Sequence, residues 1–191
     1  MNLPETVLKS YQNHFDQVRA TIGSNLHDVL RAHDGKNDEL MHLLARVVDW
    51  RICMNESLTE PDRFVAAFSG LRTDVQNGGF HQYFLNSAGD LWSDLLRMLI
   101  LGGDHDGESH FRRVLDLFPE SSPSTHQDTR AEQLDQIDER YMKSSTSPFD
   151  ELNSEFYRSC FYPDEKTLIK ALKSLDDIEF IPLHCGRGEA G

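Results

Sequence analysis

Asp74-Val75-Gln76-Asn77-Gly78-Gly79-Phe80-His81-Gln82-Tyr83-Phe84-Leu85-Asn86-Ser87-Ala88-Gly89 is the stretch on which the fold turns. Upstream of it Phe64, Phe68, Leu71 and Val75 recur at steps of three and four, the spacing that sets side chains on one face of a helix. That helix is expected to end at the glycines. Asn77 and Gly78 tolerate the left-handed conformation of a helix C-cap, and Gly79 frees the backbone to turn again. Phe80, Tyr83 and Phe84 then form a second short apolar face, closed by Asn86-Ser87-Ala88-Gly89. Packing alone reads this as a tight helix-turn-helix corner filled by aromatics. The same residues admit another reading, in which the amides of Asn77, Gln82 and Asn86 converge on the Gly79 backbone to hold a ligand, and both readings stand at this point.

Outward from the corner, helical patterns continue in both directions. Toward the N-terminus, Pro4 suits a first turn and Val7, Leu8, Tyr11, Phe15 and Val18 form one stripe. Gly23-Ser24 ends that helix and caps a short successor with Leu26, Val29 and Leu30. The segment carrying Leu40, Leu43, Leu44, Val47, Val48, Trp50 and Met54 is apolar over more than half its circumference and reads as the central buried helix. Thr59 or Glu60, with Pro61 in the first turn, opens the helix leading into the corner. Beyond the corner, Asp90 is expected to cap a helix of Leu91, Trp92, Leu95, Leu96, Leu99 and Ile100 that Gly102-Gly103 stops. Asp104-His105-Asp106-Gly107-Glu108 has oxygen and imidazole donors, but it lacks the later acidic ligands of a calcium loop and reads as an acidic helix N-terminus. A helix with Phe111, Val114, Leu115 and Phe118 runs on to Pro119.

The fold class expected is all-α, about eight to ten helices, with a short extended segment near residues 178–181. At 191 residues the chain is one domain, or one with an appended subdomain, long enough to bury about 70% of its unfolded surface. Residues 1–118 read as a helical core, 119–127 as a Ser/Pro-rich linker-like loop, 128–182 as an acidic helical subdomain packed on the core, and 183–191 as a flexible tail. No apolar run approaches a membrane span, and the N-terminus lacks a basic region followed by an apolar one. Three widely spaced cysteines, Cys53, Cys160 and Cys185, fit reduced thiols in a cytoplasm.

Net charge is the largest deviation in composition, at −13. Direct binding to nucleic acid needs Lys and Arg to replace phosphate counterions, so the field has the wrong sign, whereas a basic partner would be steered in. Acidity can equally do no more than keep a chain soluble. Its distribution separates these readings better than its total. Residues 1–118 carry 17 acidic and 11 basic side chains; residues 119–180 carry 14 and 7 in about half the length. At about 100° per residue, Asp128, Glu132, Asp135 and Glu139 fall within roughly 60° of one another, with Leu134, Ile137 and Tyr141 opposite. Successive carboxylates then lie about 5–6 Å apart at Cβ, comparable with neighbouring phosphates on a strand. Such a row is self-repelling by a few tenths of a kcal/mol per pair. The next helix turns Phe149, Leu152, Phe156 and Cys160 inward and Glu151 with Glu155 outward. Asp164 and Glu165 begin another, in which Lys166, Lys170 and Lys173 interrupt the acidic field.

The corner also carries a resemblance. Asn77, Gly78, Gly79, Phe80, Gln82, Tyr83, Phe84, Asn86 and Gly89 together resemble the signature of a bacterial domain family long labelled as of unknown function. Its best-known member is an acidic, helical, dimeric DNA-mimic protein that occupies the DNA-binding surface of a transcription factor. The resemblance is specific over about 13 residues and extends to the helical pattern of roughly 60–118. It implies an architectural role for the nine motif residues, a basic DNA-binding protein as partner, such as a transcription factor, and a homodimer. It does not assign the acidic residues, which lie outside the shared motif. The candidate partner-binding set, Asp128, Glu132, Asp135, Glu139, Glu151 and Glu155, comes from helical geometry alone.

Motifs for catalysis are thin. The sequence has no nucleophile elbow, phosphate loop, Cys-x-x-Cys, zinc-protease motif or dinucleotide glycine pattern. Nine histidines among so many carboxylates make some acid/base pairing in space inevitable, so no pair is singled out. His81 reads as a corner residue, and Cys185 beside His184 lies in a Gly-rich tail that offers no rigid frame for a nucleophile. The expectation is a protein without catalytic residues, cofactor, metal or membrane contact. Its alternatives are a small-ligand-binding protein or enzyme using Asn77, Gly79, Gln82 and Asn86, and a helical domain whose acidity has no partner.

Overall fold

The computed structural model describes residues 4–141, 147–159 and 163–183. The side chain expected inward at Tyr141, Cys160, and the tail with His184 and Cys185 lie outside the described residues. Among the described residues the chain is all-α, with nine α-helices: α1 (Glu5–Thr21), α2 (Leu26–Ala32), α3 (Asn37–Met54), α4 (Glu60–Leu85), α5 (Trp92–Gly102), α6 (His105–Leu115), α7 (Gln127–Tyr141), α8 (Pro148–Ser159) and α9 (Glu165–Lys173). None is long and apolar enough to cross a membrane.

The chain divides into two compact units, one running to Asp62 and resuming at Leu175, the other Arg63–Ser174. The boundaries fall there, and the Ser/Pro-rich run before α7 is interior to the second unit. In the first unit α3 buries Leu40, Leu43, Leu44, Val47, Val48 and Trp50, and α1 contributes Phe15 and Val18. The Trp50 ring meets Phe15 edge-on at 5.8 Å. The extended segment expected near 178–181 is reduced to one antiparallel bridge, Asn25 with Glu179. Around it Leu26 N–H donates to the Ile178 carbonyl at 2.9 Å, and Phe180 and Ile181 N–H both donate to the Ser24 carbonyl at 2.8 and 3.0 Å. Arg51 ties the same return in place, donating to the Phe180 carbonyl at 2.9 Å while its Nε lies 2.9 Å from the buried Asp62 carboxylate. Asp62 also accepts from Thr59 N–H at 2.8 Å and from the Thr59 hydroxyl, which ties the residue before α4 to its first turn.

In the second unit α5 packs on α9 and α6, α6 on α8, and α8 on α7. Gly103, at φ 69°, ends α5 as expected, and Asp104 caps α6 by accepting from Gly107 N–H at 2.9 Å. Asp90 does not cap α5. A 3-10 segment, Ser87–Leu91, takes up that stretch, and α5 starts at Trp92 with no side-chain cap. Asp90 has a stronger partner, described below.

Candidate functional site

The corner is a kink within α4, where one helix ends at the glycine pair and a second follows without an intervening loop. Gly78 is extended, at φ −164°, and only Gly79 enters the left-handed region, at φ 74°. The left-handed position expected at Asn77 or Gly78 therefore falls one residue later. Gly79 is required twice over, because a Cβ there would also lie 2.4 Å from Asn153 Nδ2 on α8. Freed from the helical ladder by the break, Phe80 N–H donates to Asn153 Oδ1 at 2.9 Å. Phe80, Tyr83 and Phe84 are all buried, Phe80 edge-on to Phe156 at 5.1 Å and Phe84 against Phe118 at 4.6 Å.

The motif amides are not gathered about Gly79. Asn77 is exposed. The Gln82 side chain folds over Gly78, where a Cβ would meet its Oε1 at 2.0 Å. Asn86 Nδ2 donates to Asp74 Oδ1 at 2.9 Å. A small cavity lined by Phe80, His110, Phe111 and Phe156 is apolar and of about 10 Å³, room for one water at most. Burial pushes the Tyr83 phenol pKa up, so it stays neutral. Among the described residues no three His, Cys, Asp or Glu side chains come together as a metal site.

Gly89 closes the motif against an arginine that the sequence analysis did not single out. Arg130, on α7, is fully buried. Its Nε donates to the Phe84 carbonyl at 2.5 Å, Nη1 to Ser124 at 2.6 Å, and Nη2 to Asn86 at 2.9 Å and to the Asp90 carboxylate at 2.6 Å. Three residues earlier on the same face, Gln127 Nε2 donates to the Leu85 carbonyl at 2.8 Å. The last carbonyls of α4, orphaned where the helix stops, are thus satisfied by α7 side chains. The wheel already held the clue. Arg130 lies about 200° from Asp128, among Leu134 and Ile137 on the inward face.

On the outward face the expected row exists. Asp128, Glu132, Asp135 and Glu139 are all exposed, while Leu134 and Ile137 are buried. Among the described residues no Lys, Arg or His lies within ion-pairing distance of those four carboxylates. Asp138, on the flank of the row, does have a neighbour, the His81 ring nitrogen at 3.2 Å.

On α8, Phe149, Leu152 and Phe156 are buried as their spacing requires, and Glu151 is exposed. Glu155 is not open in the same way. Arg113 on α6 forks onto it at 2.5 and 3.2 Å, and His110 Nε2 lies 3.8 Å away. The Arg113 hydrogen bond holds the Glu155 carboxyl below its usual pKa, and Glu155 in turn raises that of Arg113. His110 is buried, 3.0 Å from the Leu152 carbonyl. Burial lowers its pKa, the Leu152 carbonyl and Glu155 oppose that shift, and Arg113 adds to it. Beside Glu151, an open groove carries Arg113 and Arg158 as well as Asp116 and Asp150, so the field there has mixed sign.

The model of the DMP19-like protein family matches residues 56–175. The match covers all of the second unit, including the corner and α7, and stops where the chain returns to the first. No curated protein and no solved structure gives a significant match.

Proposed function

Because the chain belongs to the DMP19-like protein family, we propose that it is a non-enzymatic acidic protein that binds a basic DNA-binding protein by presenting carboxylates where DNA presents phosphates. One observation carries this reading: Asp128, Glu132, Asp135 and Glu139 stand exposed along one face of α7, without a counter-ion among the described residues. Like charges so spaced cost the helix stability, and a basic surface laid over them removes that cost and screens the repulsion. The row spans residues 128–139, on the order of 16 Å at about 1.5 Å per residue, which suits one face of a DNA-reading element rather than a whole operator. Glu151 extends the acidic surface. Glu155, held by Arg113, contributes little to it. A homodimer, as in the resembled DNA mimic, would present two such rows, the arrangement that a two-fold symmetric DNA-binding protein requires.

Host proteins retained on a duplex-DNA column supply the test. They are passed over the immobilised protein at low salt and eluted with salt or with duplex DNA. The expected result is a DNA-binding protein that the wild type retains, that both eluants release, and that the Asp128→Asn, Glu132→Gln, Asp135→Asn, Glu139→Gln quadruple variant fails to retain. Equal retention by the quadruple variant, or no retention of any DNA-binding protein, overturns the proposal.

A further inference from the structure

The hollow behind the family motif is a built receptor for one guanidinium. Three main-chain carbonyls, Phe84, Asn86 and Ser124, and the Asp90 carboxylate surround it, and four donor contacts of Arg130 are directed at them. Gly89 forms its wall. A Cβ on that residue would lie 2.8 Å from Arg130 Nε and 3.0 Å from both the Phe84 Cα and the Tyr83 carbonyl oxygen. Every acceptor except Asp90 is a backbone oxygen, so the site reads the planar, many-donor shape of arginine, which the compact ammonium of lysine cannot reproduce. A buried charge is tolerated when it is paired and hydrogen-bonded, and the site gives Arg130 a carboxylate partner and acceptors for four of its five N–H donors.

Arg130 sits on α7 between Asp128 and Glu132, directed opposite to them. Its four contacts fix both the position of α7 along the motif and its rotation about its own axis. We infer that Arg130 is the positioning residue of the acidic row: the motif serves as an arginine receptor, and its occupation by Arg130 holds α7 at the angle that turns Asp128, Glu132, Asp135 and Glu139 outward as an ordered array. The inference rests on the proposed function for the use made of the row, and on geometry alone for the clamp. The two parts can therefore fail separately.

Hydrogen exchange of the full chain reads the clamp without any partner. Arg130→Lys keeps the net charge and is expected to lower protection of the α7 amides on the order of a hundredfold, since buried hydrogen bonds to a charged group are lost. Amides of α1–α3 serve as the internal control and keep wild-type protection. Gly89→Ala, which leaves Arg130 in place but crowds its Nε, is expected to lower α7 protection to a smaller degree. In Arg130→Ala, propylguanidinium below denaturing concentration is expected to restore protection in α7, and propylammonium is not.

Binding to the DNA-binding protein retained by the wild type should fall in the same order across the three variants, even though Arg130→Lys changes no net charge. Wild-type protection of α7 in Arg130→Lys overturns the clamp, as does loss spread evenly over the chain with no rescue by propylguanidinium. Loss confined to α7, with partner binding unchanged, overturns the positioning role. Loss confined to α7 in a protein whose wild type binds no DNA-binding protein leaves the clamp standing and removes only the proposed function.

Discussion

α7 and α8 are both short, acidic and amphipathic, and both expose carboxylates, yet only α7 carries four of them in a row that meets no cation among the described residues. α8 keeps Glu151 exposed, but beside Arg113 and Arg158, and the rest of the helix is engaged. Phe149, Leu152 and Phe156 enter the core, Asn153 fills the hollow at Gly79 and accepts from Phe80 N–H, the Tyr157 hydroxyl donates to the Val75 carbonyl, and Glu155 is gripped by Arg113. α7 is attached by one side only, through Leu134, Ile137, Gln127 and Arg130, and its four-carboxylate row meets no cation among the described residues. Acidic spacing on a helix wheel thus describes exposure but not availability. What decides availability is which cations the neighbouring helix brings within reach.

Substitutions can break this contrast, and the largest effect is expected on the α8 side. Gly79→Ala forces a Cβ into the Asn153 amide at a left-handed position and should destabilise by about 3 kcal/mol, read as a fall in the urea midpoint. Asn153→Ala removes the acceptor from Phe80 N–H and should cost about 2 kcal/mol. The double variant is expected to cost less than the two single effects together, because the alanine at 153 makes room for the new Cβ. Additive costs would show that Asn153 is not what Gly79 accommodates.

A pH titration tests the core beneath Glu155. A histidine whose pKa is lower folded than unfolded binds fewer protons in the folded state. The stability tied to neutral His110 is therefore complete above the unfolded value near 6.5 and is lost as pH falls from there through the lowered folded value. Urea midpoints measured across this window should fall more steeply for wild type than for His110→Gln. His14, shifted the same way by burial, is present in both proteins, so the difference between the two curves isolates His110. Identical slopes would place the acid sensitivity elsewhere.

The smallest effect belongs to α7, and its sign is the informative part. Converting Asp128, Glu132, Asp135 and Glu139 to amides relieves their mutual repulsion and should raise stability by a few tenths of a kcal/mol per pair. Glu155→Gln removes a charge that Arg113 uses and should not raise it. A fall in stability for the quadruple variant would mean that the row has partners within its own fold.

Much of this was legible in the sequence. Periodicity placed the buried Leu, Val and Phe positions of α3, α4, α7 and α8, and the glycine pair marked the break in α4, because these features depend on residues a few positions apart. The row on α7 was legible for the same reason. Arg130 was not, although its place on the apolar face was visible, because its four acceptors come from stretches as far away as Phe84. Asp90 read as a helix cap because a local rule fitted it, yet a buried guanidinium is the stronger claimant. The run before α7 read as a linker from its composition. Ser124 instead donates its N–H to Gln133 at 2.8 Å and offers its carbonyl to Arg130, contacts that composition cannot carry. Glu155 shared the spacing of Glu151, and only the arrival of Arg113 from α6 separated their fates.

The return of the chain at Leu175 has a consequence for its biogenesis. The bonds between Ser24 or Leu26 and residues 178–181 join stretches that lie on either side of the second unit in sequence. The second unit, uninterrupted from Arg63 to Ser174, can close during synthesis, whereas the first must wait with Ser24 unpaired until residues 178–181 have been made. A nascent chain arrested before Leu175 would therefore carry the whole of the second unit, with α7 in it, and a first unit still lacking its closing hydrogen bonds.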